Sequence, residues 1–551
     1  MTARLRFIVL GVIAINISPI LARAQTNPNA ATIASEQQRS CDALASVDFS
    51  GIPDAPTQIT AATAVGAKDG APAYCQIQGY IAPQVGFELR LPARHWNGKF
   101  MEVGCGGWCG SVNAMACDVP LQSGYACIAS DMGHKGTGED VLWANNNLQA
   151  QVDFGYRATH VAALSGKAIA EQYYSKAPTR SYFVGCSTGG YQGVMEAQRF
   201  PWDFDGIIAG APDIDEAAAD LRATWIVRNF LDQDGKPLLS HDVLRLVHEA
   251  ALARCDMDDG VKDGIIGNPL ACKFDPTELV CNAGKAKDCL TPTQADVIKK
   301  LYAGPMTSKG ESISTGGFLP GSELAWEQFW PASGVEQFFK YGTWGYSAGP
   351  QFRYTDFDFD RDYKRFGLAP WYDNSNPDLR KFKNAGGKLI VYHGGTDTID
   401  LPGAVTDYYE AVERTTGGRA STQSFFRLFF IPGMNHCSGG AGAYAIDYLS
   451  YLEAWVERGK APDVLMSAHV SDTYLATAPL PKLPQELPAD MTPEMRAAIA
   501  AHFLRFPLDP SVPVAFTRPV YPYPTMAKYR GHGDPNNAAS FGPAEPQKSH
   551  Q

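Results

Sequence analysis

Short runs of consecutive apolar residues recur along the chain, and most of them end in Gly or Asp. The clearest are Lys99–Val103, Tyr125–Ala129, Ser181–Val184, Asp205–Ala209, Lys388–Tyr392 and Phe426–Ile431. Near-continuous apolar runs are typical of strands that are buried on both faces of a sheet. Helical stretches such as Ala158–Ala177 and Tyr191–Arg199 lie between several of these runs. The alternation predicts an α/β fold with a mostly parallel sheet, whose active site lies at the carboxyl ends of the strands.

The alternation of strands and helices stops between residues 213 and 384. This segment contains four cysteines, an acidic loop and a set of aromatic residues, namely Trp326, Phe329, Trp330, Phe338, Phe339, Tyr341, Trp344 and Tyr346. We predict a lid domain over 213–384, inserted into a catalytic domain formed by 25–212 and 385–551, because candidate catalytic residues fall on both sides of it. A separate tandem domain is the alternative.

The amino terminus has the pattern of a signal peptide. Arg4 and Arg6 precede an apolar stretch, and Ala22-Arg23-Ala24 offers small residues at a cleavage site. The apolar stretch is about 15 residues long, whereas a membrane span needs roughly 20, so a membrane anchor is the less favoured interpretation. We therefore expect residues 1–24 to be removed, and the mature protein to be secreted or periplasmic with no membrane partner.

Charge and cysteine content narrow the class of protein further. The chain has 58 acidic and 47 basic residues, a formal net charge of −11 and no basic run, so we expect no nucleic-acid partner. Twelve cysteines in an exported chain indicate disulfides rather than free thiols. The chain has no C-x-x-C pairs, which disfavours a zinc site.

The strongest chemical motif is Gly185-Cys186-Ser187-Thr188-Gly189, which follows an apolar strand and precedes a helix. In that context, G-x-S-x-G forms a nucleophile elbow, a tight turn that lifts the serine hydroxyl above the sheet. The alternative is a glycine-rich turn without catalytic function. A nucleophilic serine needs a histidine base and a carboxylate that orients it, and in this fold class the order along the chain is Ser, acid, His.

Asp397 and His436 satisfy that order. Asp397 follows the fifth apolar strand, where Asp400 is a rival for the role of the acid. His436 follows the sixth strand; its rival His393 lies in the turn that carries the acid, so we interpret His393 as structural.

A cysteine adjoins each of the two central candidates. Cys186 immediately precedes Ser187, and Cys437 immediately follows His436. A disulfide between them would fasten the elbow to the histidine loop, beside the pair that must hydrogen-bond. The alternative is that each cysteine is buried separately.

The chain resembles the tannase and feruloyl esterase family, whose hallmark is a catalytic Ser and His that adjoin two disulfide-bonded cysteines. The resemblance extends from about Cys41 to Phe541. Besides Gly185-Cys186-Ser187, it rests on Pro432-Gly433-Met434-Asn435-His436-Cys437, Trp96-Asn97-Gly98-Lys99-Phe100, Gln198-Arg199-Phe200-Pro201, Gly210-Ala211-Pro212 and Pro522-Tyr523-Pro524. It implies an α/β-hydrolase core with a large lid and a triad of Ser187, Asp397 and His436.

An acidic loop suggests a bound metal ion. Four carboxylates lie within eight residues of Asp256-Met257-Asp258-Asp259-Gly260-Val261-Lys262-Asp263, which suits a hard cation held by oxygen ligands. The loop is not an EF-hand, because Gly260 comes one place early and Gly267 occupies the position of the required Glu. The resemblance implies a structural Ca²⁺ in the lid, with ligands from the side chains of Asp256, Asp259 and Asp263 and the carbonyls of Val261 and Ile265. A solvated acidic turn is the alternative.

The family resemblance also implies disulfide pairings. Cys41 with Cys75, Cys255 with Cys272, and Cys281 with Cys289 match family pairs in spacing. Four cysteines are left unassigned, and we expect two local disulfides among them in one of three connectivities. They are Cys105, Cys109, Cys117 and Cys127.

The oxyanion hole of this fold uses the N–H of the residue after the nucleophile and an N–H from the loop after an early strand. Here the first donor is Thr188. The second lies in Gly104-Cys105-Gly106-Gly107, where alignment with the family favours Cys105, and Gly104 and Gly106 are alternatives.

We therefore expect a secreted serine carboxylesterase that hydrolyses small aromatic esters of hydroxycinnamic or gallic acid, of plant cell-wall or tannin origin. Hydrolysis of terephthalate monoesters, also found in the family, is less favoured. The family's lid arginine for the terephthalate carboxylate has no firm counterpart, and Arg353 and Arg361 match only loosely. Alternatives from other classes are a serine peptidase and a calcium-stabilised binding protein on an inactive hydrolase scaffold.

Overall fold

The structure is a computed structural model. It describes residues 40–68, 71–214, 216–282, 287–328, 335–337, 340, 348–365, 371–478, 492–502 and 504–544. The predicted signal peptide, 1–24, lies outside these residues, and so do seven of the aromatic residues predicted for the lid, Phe329, Trp330, Phe338, Phe339, Tyr341, Trp344 and Tyr346.

A nine-stranded sheet forms the centre of the molecule, in the order β1-β2-β3-β5-β4-β6-β7-β8-β9. The strands from β5 to β9 in this order pair in parallel, whereas β1, β2 and β3 add antiparallel pairs at one edge. The bounds are β1 (Thr57–Val65), β2 (Tyr74–Ile81), β3 (Val85–Pro92), β4 (Lys99–Val103), β5 (Ala126–Ser130), β6 (Arg180–Cys186), β7 (Gly206–Gly210), β8 (Lys388–Gly394) and β9 (Phe426–Ile431). The mostly parallel sheet confirms the predicted fold class.

Both faces of this sheet are buried, which explains why its strands are apolar throughout. In β8, Leu389 and Val391 belong to one apolar cluster, and Ile390 belongs to the cluster on the opposite face. The helices are α1 (Asp118–Gln122), α2 (Leu148–Val152), α3 (Ala158–Tyr174), α4 (Thr188–Arg199), α5 (Glu216–Phe230), α6 (His241–Cys255), α7 (Pro292–Ala303), α8 (Arg380–Asn384), α9 (Pro402–Thr416), α10 (Arg419–Gln423), α11 (Tyr448–Arg458), α12 (Asp472–Leu475) and α13 (Pro493–Ala501). Helices α3, α4 and α9 contribute to the first cluster, and α11 and α13 contribute to the second.

Two smaller antiparallel sheets lie in the carboxyl-terminal part of the chain. Strand β10 (Leu465–Val470) pairs with β11 (Val514–Val520), and β12 (Ala527–Tyr529) pairs with β13 (Phe541–Pro543). No helix in the described residues is long and apolar enough to cross a membrane.

The chain leaves the large sheet after β7 and returns at β8, although these two strands are direct neighbours. The segment between them includes α5, α6 and α7 and forms most of a separate apolar cluster, which Leu401 joins from beyond β8 and in which Trp326 has no exposed surface. Trp326 is therefore a core residue of this segment. The boundaries at 213 and 384 and the role of the segment as a lid stay predictions.

All twelve cysteines form disulfides. The pairs are Cys41–Cys75, Cys105–Cys109, Cys117–Cys127, Cys186–Cys437, Cys255–Cys272 and Cys281–Cys289. Every pairing that the sequence suggested is present, and the four unassigned cysteines adopt the connectivity that joins nearest neighbours.

Candidate active site

Ser187 lies at a sharp turn between β6 and α4. Its φ of 62° is in the left-handed region, and its backbone N–H donates a hydrogen bond of 3.0 Å to the carbonyl of Gly210 on β7. Two glycines permit the turn. A Cβ atom on Gly185 would lie 2.6 Å from the backbone of Gly189, and one on Gly190 would lie 2.1 Å from the Gly210 oxygen. This is the geometry of a nucleophile elbow, whose serine side chain projects from the carboxyl end of a strand.

His436 and Asp397 meet at the same edge of the sheet. Nδ1 of His436 donates a hydrogen bond of 2.9 Å to Oδ2 of Asp397. The other oxygen of Asp397 accepts hydrogen bonds from the backbone N–H groups of Ile399 and Asp400, at 2.9 and 3.1 Å. The carboxylate is therefore held in place from both sides, as an orienting acid must be.

The two rival residues take other positions. The nearer carboxylate oxygen of Asp400 lies 3.9 Å from His436 Nδ1, beyond hydrogen-bond distance. His393 has no exposed surface, and its Nε2 donates a 2.6 Å hydrogen bond to the Asp400 carbonyl. The geometry thus favours Asp397 over Asp400 and assigns a structural contact to His393.

Burial and charge set the protonation of this group. Burial alone would lower the pKa of His436, but the charge of Asp397 and its hydrogen bond, followed by the charges of Asp400 and Asp213, raise that pKa to about 9. Burial would raise the pKa of Asp397, but the charge and hydrogen bond of His436, the charge of His393 and the Ile399 N–H together more than offset it, so this pKa is lowered. Asp400 behaves in the opposite way, because burial, followed by the Asp213 charge, raises the pKa of its carboxyl well above the usual value.

The disulfide between Cys186 and Cys437 joins the residue before Ser187 to the residue after His436. Its two Cα atoms are 6.0 Å apart, and the two cysteines are separated by 251 residues of sequence. Within the described part of the chain, no hydrogen bond joins the Ser187 hydroxyl to the His436 ring. Catalytic hydrogen bonds are often long before substrate binds. Ser187 and His436 each adjoin one of the two cysteines of this disulfide in sequence.

The backbone around Ser187 offers donors for an oxyanion. Thr188 begins α4, so its N–H has no helical partner, and its hydroxyl donates a 2.5 Å hydrogen bond to the Gly107 carbonyl. The expectation for Cys105 needs correction, because its N–H donates to Oε1 of Gln192 at 3.1 Å. The Gly104 N–H donates to the Val184 carbonyl.

Gly106 replaces Cys105 as the second candidate donor. It is exposed, and its N–H has no hydrogen-bond partner among the described residues. The sequence could not show this, because the competing acceptor belongs to Gln192 on α4, far from this loop in the chain.

An open cleft of about 610 Å³ begins at Ser187. Its walls come from the loop containing Trp108, from helix α5 and from the loop 398–400. Asp213, Arg222 and Asp400 line it although each is less than a tenth exposed. We did not predict Asp213 or Arg222 from the sequence. The sequence feature that could have indicated Arg222 is its position between the apolar residues Leu221 and Ala223 of α5.

Comparison with known proteins identifies the family. The family model described as "Tannase and feruloyl esterase" matches residues 70–544. The chain belongs to this family. It is similar to a mono(2-hydroxyethyl) terephthalate hydrolase of Piscinibacter sakaiensis, with 32% identity over 88% of this chain and 87% of the relative. It is also similar to a probable feruloyl esterase of Arthroderma benhamiae, with 32% identity over 84% and 82% of the two chains.

A solved structure supports the fold. Feruloyl esterase B from Aspergillus oryzae superposes with a TM-score of 0.77 at 24% identity, covering 92% of this chain and all of that one. As a member of the tannase and feruloyl esterase family, the protein is a carboxylic ester hydrolase.

The acidic loop of this family member has the donor chemistry of a hard-cation site. The Asp256 carboxylate accepts hydrogen bonds of 3.1 Å from the N–H groups of Asp263 and Gly264. The Asp263 carboxylate accepts from the Ile265 N–H at 3.1 Å and from Arg518 at 2.7 Å. Burial, opposed by the hydrogen bond from Val261 but reinforced by the charges of Asp263 and Asp256, raises the pKa of Asp259 to about 6.

The charges of Asp256 and Asp263 both act on Asp259, and a bound cation would offset that repulsion. These are the side-chain ligands that the resemblance implied. The calcium itself stays a prediction.

A second buried acidic cluster lies away from the cleft. His160 Nδ1 donates a hydrogen bond of 2.5 Å to Asp203. One ring nitrogen of His160 and one carboxylate oxygen each of Glu196 and Asp203 lie within 4.8 Å of one another. Glu102 and Glu196 are fully buried, at 1% and 0% exposure. Burial raises the pKa of each carboxyl well above its usual value, and the charge of Asp203 adds to this effect. Burial therefore favours the protonated form of each glutamate, and this cluster belongs to the core rather than to the cleft.

The hydrogen-bond geometry predicts unequal effects of two similar substitutions. We expect Asp397→Asn to lower kcat/KM for 4-nitrophenyl acetate by about 10³- to 10⁴-fold, since the ring loses its orienting acceptor. We expect Asp400→Asn to cost about tenfold or less, because the Asp400 carboxyl lies 3.9 Å from His436 Nδ1, beyond hydrogen-bond distance. The control is Asp242→Asn, whose carboxylate is 85% exposed. A larger loss from Asp400→Asn than from Asp397→Asn would transfer the role of the acid to Asp400.

Proposed function

We propose that the protein hydrolyses small aromatic acid esters with a catalytic triad of Ser187, His436 and Asp397. The observation that carries this proposal is the Asp397–His436 hydrogen bond of 2.9 Å, held beside the elbow serine by the Cys186–Cys437 disulfide.

Each residue has a defined task in this reaction. The Ser187 hydroxyl attacks the ester carbonyl while Nε2 of His436 takes its proton, which requires the neutral form of a ring whose raised pKa favours protonation. The same nitrogen then protonates the departing alcohol. Asp397 holds the ring with Nδ1 protonated and stabilises its positive charge. Water, activated by His436, then attacks the acyl-serine and releases the aromatic acid.

Backbone N–H groups stabilise the tetrahedral intermediate in both steps. Thr188 is the donor at the helix start, and Gly106 is the donor in the loop after β4. One such donor contributes about 3 kcal/mol to transition-state stabilisation in comparable sites.

Hydroxycinnamic and gallic acid esters, of plant cell-wall or tannin origin, are the substrate class that we propose. Feruloyl esterases are among the similar proteins, and the cleft combines apolar and polar walls. For a terephthalate monoester, the cleft would have to offer a cation to the second carboxylate. Arg222 already forms a hydrogen-bonded ion pair with Asp213. Arg353 and Arg361 are not among the described residues that line the cleft.

We further propose that the protein is exported after removal of residues 1–24. Six disulfides support this, since disulfides persist mainly in oxidising compartments.

The ester hydrolase proposal has a direct test. We expect the wild type to hydrolyse methyl ferulate, chlorogenate or methyl gallate faster than a terephthalate monoester and to leave casein intact. Ser187→Ala should lower kcat/KM by about 10⁴-fold or more and abolish labelling by a fluorophosphonate probe. Ser50→Ala, at an exposed position, is the matched control.

The alternatives make different predictions for the same experiment. Cleavage of casein would identify a peptidase. Absence of Ser187-dependent labelling and of ester hydrolysis would identify a binding protein on an inactive scaffold.

We propose that Ca²⁺ stabilises the acidic loop without taking part in the chemistry. The side chains of Asp256, Asp259 and Asp263 and the carbonyls of Val261 and Ile265 would hold it. The proposal is supported by the oxygen-rich ligand set and by the pKa of Asp259, which burial raises, with smaller contributions from the charges of Asp263 and Asp256.

Calcium should therefore raise the melting temperature relative to EDTA. A ligand present at 100 times its Kd adds about 2.7 kcal/mol to the free energy of unfolding. We expect Asp259→Asn to abolish this shift and Asp258→Asn, a neighbour outside the ligand set, to retain it. Differential scanning calorimetry measures both. Equal melting of the wild type in calcium and in EDTA would contradict the calcium proposal and leave the esterase proposal intact.

A further inference from the structure

A second cavity, of about 740 Å³, lies between helix α6 and the loops that follow β8 and β9. His248 of α6 and the stretch 320–325 form one side of it, and Thr396 and Asn435 belong to the other side. Within the described part of the chain, it shares no lining residue with the cleft that begins at Ser187. We call it the α6 cavity. Its volume is in the range of small-molecule sites, about 300 to 1,000 Å³.

A buried carboxylate holds the histidine of this cavity in place. Nδ1 of His248 donates a hydrogen bond of 2.9 Å to Oε2 of Glu323, which has no exposed surface. Glu323 also accepts hydrogen bonds from the Tyr302 hydroxyl at 2.5 Å and from the Gly321 N–H at 2.8 Å. Nε2 of His248 has no hydrogen-bond partner among the described residues. The ring is therefore fixed at one nitrogen, and in its neutral form the other nitrogen is an unused acceptor.

Asn435 supplies an unused donor to the same cavity. Its Oδ1 accepts a hydrogen bond of 2.9 Å from the Thr396 hydroxyl, whereas its Nδ2 has no partner among the residues that the structure describes. Thr396 immediately precedes Asp397, and Asn435 immediately precedes His436. A molecule in the α6 cavity would therefore contact the neighbours of two proposed triad residues.

The other walls are aliphatic or bare backbone. Leu252, Ile266 and Leu324 provide apolar surface. Four glycines also line the cavity and allow a ligand to approach the backbone closely, namely Gly264, Gly321, Gly433 and Gly440. No lysine, arginine, aspartate or glutamate is among the described lining residues.

We propose that the α6 cavity is a second ligand site, which binds a neutral sugar or polyol separately from the substrate. The hydroxyl groups of such a molecule both donate and accept, so they can donate to Nε2 of His248 and accept from Nδ2 of Asn435. The C–H groups of the same molecule pack against the aliphatic walls. This inference goes beyond the proposed function, because it assigns a binding site outside the Ser187 cleft.

Other classes of ligand match the α6 cavity less well. A carboxylate or phosphate would find no cationic side chain among the described lining residues, and the Glu323 carboxylate lies directly behind His248. A hydrocarbon would leave His248 Nε2 and Asn435 Nδ2 without partners in a partly desolvated site, which is unfavourable. An aromatic ring would find no aromatic side chain to stack on among these residues, apart from the His248 imidazole.

A titration followed by saturation-transfer NMR tests the proposal. The protein is the Ser187→Ala variant, and the neutral probes are D-glucose, D-xylose and glycerol. We expect at least one of them to bind with a Kd of about 1 to 10 mM, as a small ligand with a few hydrogen bonds does. D-Glucuronate, which adds a charge, and tetrahydropyran, which lacks hydroxyl groups, should bind about tenfold more weakly or not at all.

Two further substitutions in the same background locate the bound molecule. His248→Ala should weaken binding about tenfold, the effect of one lost hydrogen bond. Ala325→Trp should abolish binding, because the indole would fill the cavity that Ala325 lines. The matched control is Glu249→Ala, the next residue of the same helix, whose side chain is 62% exposed. Far-UV circular dichroism identifies the variants that are folded, and either folded cavity variant suffices for the comparison.

Three outcomes would overturn the proposal. The first is that none of the neutral probes binds, and the second is that D-glucuronate binds as tightly as they do. The third is unchanged binding in a folded His248→Ala or Ala325→Trp variant.

A kinetic measurement separates the α6 cavity from the substrate cleft. The bound sugar should not raise the KM of the wild type for 4-nitrophenyl acetate. A rise in KM at constant kcat would place the sugar in the Ser187 cleft and would overturn the proposal. Because the titrations use Ser187→Ala, they test the cavity even if no ester is hydrolysed, in which case the proposed function alone is wrong.

Discussion

The disulfide between Cys186 and Cys437 is the constraint on which the candidate site depends. Ser187 follows β6 and His436 follows β9, and two further strands, β7 and β8, lie between those strands in the sheet. Neighbouring strands are about 4.8 Å apart, so the ends of β6 and β9 are separated by roughly 14 Å. The loop after β9 must therefore return across the edge of the sheet, and the disulfide holds it there. In the loop-entropy account, closing 251 residues contributes about 5 kcal/mol to the free energy of unfolding.

Buried charge is the second organising feature of this edge. Asp397 is ionised and fully partnered, which keeps the pKa of His436 high, whereas Asp400 is pushed toward its neutral form by burial and by Asp213. The pKa values of these two aspartates, three residues apart, are thus shifted in opposite directions, because Asp397 lies against His436 whereas Asp400 is buried near the Asp213 charge. Asp397 is bonded to the candidate base His436, and Asp400 lines the cleft. The same separation of roles for paired carboxylates is common in hydrolase active sites.

Much of this arrangement could be predicted from the sequence because it is local. Strands β4 and β9 begin and end at the residues that the apolar runs indicated, and the elbow follows from Gly185, Ser187 and Gly189 placed between a strand and a helix. The order of Ser, Asp and His along the chain then determined the remaining candidates, and the flanking cysteines supported them.

The features that were missed depend on contacts between distant parts of the chain. Gln192 takes the N–H of Cys105 because α4 packs beside the loop after β4. Asp213 and Arg222 are only nine residues apart, but they line the cleft together with the loop 398–400 from a distant part of the chain. The antiparallel edge formed by β1, β2 and β3 was not predicted either, since β1 and β2 vary in burial and the apolar run of β3 is interrupted by Glu88 and Arg90. No pattern within a short window of sequence encodes such contacts.

The most direct test of the account is the activity of a Cys186→Ala/Cys437→Ala variant, with Cys281→Ala/Cys289→Ala as the control because that disulfide lies in the segment between β7 and β8. Both are assayed with 4-nitrophenyl acetate at a temperature where far-UV circular dichroism shows that they are folded. The account predicts that the first variant loses about 100-fold or more in kcat/KM, the cost of an ångström-scale displacement of a catalytic pair, while the control retains its activity. Wild-type turnover by the folded Cys186→Ala/Cys437→Ala variant would contradict it.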